Sequence, residues 1–362
     1  MHDRRKLPGI ISYKLAALYL LISSVSPHPL SRILHFKWIP IIATRFPDIS
    51  EAEIWSDRPP KNQVDPRRPY AFLNERERTA DGKVEDVATV FLTNRECPWR
   101  CLMCDLWRNT TDATVPPGAI AEQIDYALAR LPRARHVKLY NSGNFFDAKA
   151  IPVEEHGAIA ERVRSFRTVI VENHPKLCGE ACVRFRDLLD ARLEIALGLE
   201  TVHPEVLPRL NKGMTLADFS RAVEFLLARE IAVRAFVLLR PPFLSEAEGV
   251  EWALESVEYD LSLGVGCVSI IPTRGGNGVL ERLQKSGHYA PPKLQSLERA
   301  LEASFEIARR RPASPRVFAD LWDAEKFSEC RDCAPRRVGR LAEMNFTQRA
   351  LPAVVCNSCD TR

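Results

Sequence analysis

Val87-Ala88-Thr89-Val90-Phe91-Leu92 runs directly into Thr93-Asn94-Arg95-Glu96-Cys97-Pro98-Trp99-Arg100-Cys101-Leu102-Met103-Cys104. The first six residues have the length and apolar character of a buried strand. The three cysteines that follow stand in a C-x3-C-x2-C spacing on the loop leaving that strand. Three thiolates on one tight loop can each reach a different iron of a 4Fe-4S cubane, which leaves the fourth iron without a protein ligand and open to chemistry. The competing readings are a zinc site and scattered core thiols; structural zinc usually has a fourth ligand close by.

Working outward, the chain of 362 residues has room for one large domain with appendages. Apolar residues make up 46% and charged residues 27%, the balance of an ordinary folded core, and a net charge of +4 does not by itself imply a nucleic-acid or membrane partner. Arginines 309, 310, 311, 316, 331, 336, 337 and 340 crowd the C-terminal part. Such a run is more often a solvated face than a phosphate site. The ten cysteines fall into a triplet, pairs and the lone Cys267, which argues for metal and a reducing compartment over a disulfide framework. The cytoplasm is the expected location.

Residues 1–65 read as an N-terminal extension with apolar helices. A basic start precedes a short apolar run at 15–22, but Lys14 interrupts it and Pro27 and Pro29 follow. Packing helices are the leading reading, and a peripheral membrane contact the second. From 66 to 312 strands and helices alternate. Strands are expected over 87–93, 136–141, 168–172, 193–200, 231–239 and 265–272, with helices over 118–131, 158–166, 184–191 and 246–263. A further helix is read from Phe219, Ala222, Val223, Leu226 and Leu227. Apolar strands joined by helical crossovers predict an α/β fold with a parallel sheet covered on its outside. Polar residues and glycines at the C-terminal strand ends favour a partial (β/α)6 barrel over a doubly wound sheet.

The strand followed by C-x3-C-x2-C resembles the signature of the radical S-adenosylmethionine (SAM) superfamily. That resemblance implies a 4Fe-4S cluster on Cys97, Cys101 and Cys104 whose open iron is chelated by SAM, cleavage of SAM to a 5'-deoxyadenosyl radical, and an electron donor such as flavodoxin or ferredoxin. It also distributes cofactor roles over the strand ends. Ser142, Gly143 and Asn144 are similar to the glycine-rich segment that binds the SAM amine. Glu172, in an E-x-x-P pattern, takes the ribose hydroxyls. Glu200 and Lys212, twelve positions apart, match a pair in which the lysine meets the methionine carboxylate. Met103 stands where an aromatic residue is usual, and its thioether can pack on adenine. His174 is read as a structural neighbour.

Cys97-Pro98-Trp99-Arg100-Cys101, Ser142-Gly143, residues 240–246 and Ser269-Ile270-Ile271-Pro272-Thr273 together resemble the radical SAM subunit of archaeosine synthase. This narrower likeness implies C-N cleavage in a lysine adduct on a modified nucleobase of tRNA, with a lysine-transferring transferase as partner. Lys293 and Gln295 stand where that family has tryptophans, so the substrate stays open. A small-molecule or lipid-linked substrate is the second enzymatic reading, and a non-catalytic zinc-ribbon protein that binds nucleic acid is the third.

Residues 313–362 form a Cys-rich region. Cys330-x2-Cys333 and Cys356-x2-Cys359 are two knuckles whose spacing suits zinc or an auxiliary iron-sulfur cluster. Cys178, Cys182 and Cys267 read as core thiols.

Overall fold

The computed structural model describes residues 46 to 360. The apolar run at 15–22 and the membrane contact expected from it lie outside the described residues. Among those residues no helix is long and apolar enough to cross a membrane.

From Asp48 onward the described residues form one unit. It opens with α1 (Glu51–Ser56), capped by Ser50, whose hydroxyl accepts the Glu53 amide while the Glu53 carboxylate takes the Ser50 amide. A hairpin of β1 (Ala71–Arg78) and β2 (Val84–Phe91) follows. The alternation then runs α2 (Ala119–Leu128), β3 (His136–Tyr140), α3 (His156–Val163), β4 (Thr168–Asn173), α4 (Glu180–Asp187) and β5 (Arg192–Glu200). It continues through α5 (Val206–Arg209), α6 (Leu216–Leu227), β6 (Ala232–Leu239), α7 (Glu246–Ser262), β7 (Cys267–Pro272), α8 (Val279–Lys285), α9 (Leu294–Arg309) and β8 (Arg316–Ala319). Last come α10 (Ala334–Thr347) and α11 (Asn357–Asp360).

The eight strands form one sheet in chain order, β2 to β8 parallel and β1 antiparallel to β2. The six expected strands are β2 to β7, curled as an open barrel, and the expected α/β class holds. Two strands were not expected. β1 carries Glu75, Arg76, Glu77 and Arg78, which locally reads as a polar linker. β8 has only four residues.

Strand periodicity explains how a polar sequence enters the sheet. One set of alternate residues, such as Val137, Leu139, Val169, Val171, Ile195, Leu197, Val233, Ala235, Val268 and Ile270, is buried in the continuous apolar core with the helices. The other set places Lys138, Glu194, Arg234 and Arg316 together with Glu77. Arg234 reaches Glu194 at 2.7 Å and Glu77 at 2.6 Å, Lys138 reaches Glu77 at 2.7 Å, and Arg316 reaches Glu194 at 3.2 Å. This buried ion network ties β1, β3, β5, β6 and β8 across the barrel interior. It also corrects the solvated-face reading of the C-terminal arginines: Arg316 is buried, and Arg337 and Arg340 pair with Glu298 on α9.

The outer edge of β8 is covered by α10. The Asn345 and Gln348 side chains exchange hydrogen bonds with Ala319 and Val317 as a neighbouring strand would, each giving and taking one at 2.7–2.9 Å. Unpaired strand edges invite aggregation, and two carboxamides satisfy this one.

Asp260, on α7, is fully buried with both carboxylate oxygens unpartnered among the described residues. Burial pushes its carboxyl well above the ordinary value, so the folded state retains a proton that the unfolded chain releases. Stability therefore falls as pH rises from about 4 toward the folded value. Asp260→Asn is expected to match the wild type near pH 4 and to melt roughly 2–4 °C higher at pH 8. Thermal scans at the two pH values check this, and a gap of equal size at both would refute it.

Candidate active site

The cysteine loop leaves the C-terminal end of β2 and is clamped from several sides. Leu102 N donates to Leu210 O at 2.9 Å, and Asn211 Nδ2 donates to Arg100 O at 2.9 Å. Buried Asn277, just before α8, donates through Nδ2 to Leu102 O at 2.7 Å. The Trp99 ring lies 3.8 Å from the His174 ring with 5° between planes. Gly213, at φ +69°, leaves room for Trp99, whose indole nitrogen would sit 3.0 Å from an added Cβ. Glu96 gathers Arg58 at 2.8 Å, Lys61 at 2.7 Å and Arg100 at 3.0 Å, fastening the start of the loop to the segment after α1.

His174 is a positioning group in this arrangement. Its Nδ1 accepts the Lys176 amide at 3.2 Å, so Nε2 carries the proton and donates to Lys212 O at 3.0 Å. Burial, reinforced by the Lys212 charge, drops its pKa to about 3, so the ring is neutral across the physiological range.

The thiols sit in a desolvated setting. Burial raises Cys97, pushes Cys101 up to about 11 and raises Cys104 further. Bare thiolates are thus disfavoured here, and cationic metal would have to compensate them. Among the described residues, only Cys330, Cys333, Cys356 and Cys359 bring three or more metal-ligating atoms within 4.8 Å of one another.

The next three strand ends face this loop. After β3, Ser142 adopts φ +48° and its hydroxyl donates to Tyr70 Oη at 2.9 Å. Asn144 Nδ2 lies 3.2 Å from Cys97 Sγ. At the end of β4, Glu172 Oε1 accepts the Asn141 amide at 2.6 Å and is further held by the Ser142 and Gly143 amides. Burial raises its pKa to about 7 against those amides and Lys212. β5 ends in a bulge between Gly198 and Glu200, with Glu200 at φ +70°. Lys212 Nζ meets Glu200 Oε1 at 2.7 Å, both side chains largely buried. Burial disfavours the ammonium, but Glu200 and the neighbouring thiols outweigh it and hold Lys212 above its ordinary value. A Cβ on Gly198 would collide with the Glu200 carboxylate and the Lys212 ammonium, so glycine keeps this corner open.

Glu172, Glu200, Lys212 and Ser142 to Asn144 are thus brought to the mouth of the barrel beside the cysteine loop. Met103 is on that loop, half-buried between Leu102 and Cys104. The C-terminal cysteines form their own cluster.

No protein-family model matches the chain. It is 29% identical over 230 residues to archaeosine synthase subunit beta of Thermococcus kodakarensis, covering 61% of this chain and 69% of that one. The corresponding Methanosarcina acetivorans subunit is 26% identical over 280 residues, 72% of this chain and 78% of that one. The chain is thus similar in sequence to archaeosine synthase beta subunits over most of its length. An uncharacterized Methanocaldococcus jannaschii protein is also similar, 25% identical over 264 residues, 68% of this chain and 72% of that one.

Within this site, several supports were not apparent in the sequence. Asn277 lies in the loop before α8, far from the cysteines in sequence, and a lone loop asparagine carries no signal for such a contact. The Trp99–His174 stack was partly accessible, since both residues flank recognised motifs. Cys182 and Cys267 are buried and Cys178 is half-buried against the core, as core thiols would be. Cys178 nonetheless sits close to the site through Asn173, whose Nδ2 lies 3.6 Å from its sulfur.

Proposed function

We propose that the chain is a radical SAM enzyme that binds a 4Fe-4S cluster through Cys97, Cys101 and Cys104 and acts on a modified nucleobase in tRNA, by an archaeosine-type C-N cleavage, together with a lysine-transferring subunit. The carrying observation is the convergence of the cysteine loop with Glu172 and Glu200 on consecutive strand ends and with Lys212, which follows α5 and pairs with Glu200. When bound, the cluster supplies the electron that cleaves SAM. The chain's own residues bind and orient. Lys212 offers a buried ammonium to the methionine carboxylate, and Ser142 to Asn144 line the place for the amine. Glu172 holds that segment and offers its second oxygen to the ribose hydroxyls, while Met103 lies against the adenine. The tRNA substrate and the partner rest on the likeness to the archaeosine synthase beta subunits.

The test is anaerobic reconstitution followed by dithionite and SAM. The wild type should bind about four irons at the loop and release 5'-deoxyadenosine, and Cys97→Ala should lose at least about 100-fold of that product. Retained product formation in Cys97→Ala would refute the cluster assignment. An unaltered tRNA nucleoside profile in cells lacking the gene would refute the tRNA substrate. Product formation that then required a lipid-linked substrate would favour the second reading.

At the C-terminus we propose zinc. Cys330 Sγ and Cys356 Sγ are 3.9 Å apart, and Cys333 Sγ and Cys359 Sγ are 3.7 Å apart. A tetrahedral ion with Zn–S bonds of about 2.3 Å spaces its sulfurs by about 3.8 Å, whereas a cubane would hold them wider. The expected result is one zinc per chain by elemental analysis, retained when the loop cluster is absent and lost in Cys356→Ala. Two clusters' worth of iron with no zinc would overturn it. Because α10 begins at the Cys333 knuckle and its far end covers β8, metal loss should also lower the melting temperature.

A further inference from the structure

The glycine-rich segment touches the cysteine loop through one side-chain hydrogen bond, Asn144 Nδ2 to Cys97 Sγ at 3.2 Å. Asn144 is 4% exposed, so the donor is largely shielded from solvent. Its backbone is fixed on both sides. Upstream, the Asn141, Ser142 and Gly143 amides point at the Glu172 carboxylate. Downstream, Phe145 N donates to Glu172 O at 2.9 Å and Phe146 N to Asn173 Oδ1 at 3.2 Å. β4 therefore holds the segment along its length, and the carboxamide cannot easily withdraw from the sulfur.

We propose that Asn144 is a positioning residue that sets the reduction potential of the cluster through this N–H···S bond. The proposal rests on the reading that Cys97 ligates the cluster. Reduction adds an electron, and part of the added negative charge resides on the ligating sulfurs. A preset donor favours that state more than the oxidised one, and hydrogen bonds to sulfur are among the factors that set cluster potentials. The neutral amide achieves this without adding net charge beside Lys212. Because Asn144 belongs to the segment proposed to hold the SAM amine, one short loop would govern both cofactor placement and the ease of electron supply.

The experiment is an anaerobic redox titration of the reconstituted enzyme, followed by electron paramagnetic resonance, for the wild type and for Asn144→Asp, Asn144→Leu and Asn144→Gln. Iron content is measured in parallel. Asn144→Leu, which lacks the donor, should disfavour reduction about tenfold, a midpoint about 59 mV more negative for one electron. Asn144→Asp, nearly isosteric but carrying a charge in place of the donor, should shift further in the same direction. Asn144→Gln, which keeps a donor, should recover most of the wild-type value. A wild type without a loop cluster would defeat the underlying assignment. A loaded wild type whose midpoint is unchanged in both Asp and Leu variants would overturn the redox role alone. Folded Asp and Leu variants that fail to load iron would also overturn it, assigning Asn144 to cluster assembly.

Discussion

Arg234→Met is expected to cost about 3–5 kcal/mol of folding stability, because it strips the central cation from a buried network and leaves Glu77 and Glu194 with only Lys138 and Arg316 to compensate them. Arg234 meets Glu194 at 2.7 Å and Glu77 at 2.6 and 3.0 Å, and its side chain is only 3% exposed. Burial alone would raise Glu77, but Arg234 and Lys138 outweigh it and hold the carboxyl well below the usual range. A depressed folded value contributes stability above the unfolded value of about 4, and that contribution is lost as pH falls through the folded value. Without Arg234 the Glu77 carboxyl moves up, so the variant loses this contribution at neutral pH. The gap between wild type and variant should thus be full at pH 7.5 and narrow as pH falls below about 4, toward pH 3. Urea unfolding at both pH values measures it. Adding Glu77→Gln should recover part of the loss, since it removes one stranded charge. A loss below about 1 kcal/mol would show that the network relaxes around the vacancy.

The same network explains why part of the fold escaped the sequence. Strands β2 to β7 were legible because their core-facing residues are apolar and their ends carry glycine and polar residues. β1 was not, because Glu75 and Glu77 become acceptable in a strand only when Lys138 and Arg234 arrive from β3 and β6, and no local window contains those partners. β8 is too short to show a period, and its edge is completed by Asn345 and Gln348 from a helix. Arg337 and Arg340 looked solvated for a similar reason, their acidic partner Glu298 being on the preceding helix. At the site, the order of residues was readable, since Glu172 and Glu200 follow the cysteine loop at successive strand ends and Lys212 comes twelve positions after Glu200. The clamps were not, because Asn277 and Leu102 meet across 175 positions.

The sharpest functional consequence concerns Lys212. Its ammonium is largely buried and meets Glu200 at 2.7 Å, a geometry open to two readings: a structural ion pair or a cation preset for the SAM carboxylate. Lys212→Met separates them. A charge-assisted hydrogen bond contributes roughly 1.5–3 kcal/mol, so its loss should weaken SAM binding about 10- to 150-fold. Iron content at the loop should remain, because the three cysteines are untouched. Stability will fall as well, since Glu200 is left buried without its partner. Equilibrium dialysis with SAM on the folded, reconstituted protein therefore decides, in comparison with Lys212→Met/Glu200→Gln. In the double variant the stranded carboxylate is gone and stability should partly return. SAM affinity should stay low if the ammonium itself holds the cofactor. If affinity recovers together with stability, Lys212 serves the fold, and the methionine carboxylate must find its cation elsewhere in the mouth of the barrel.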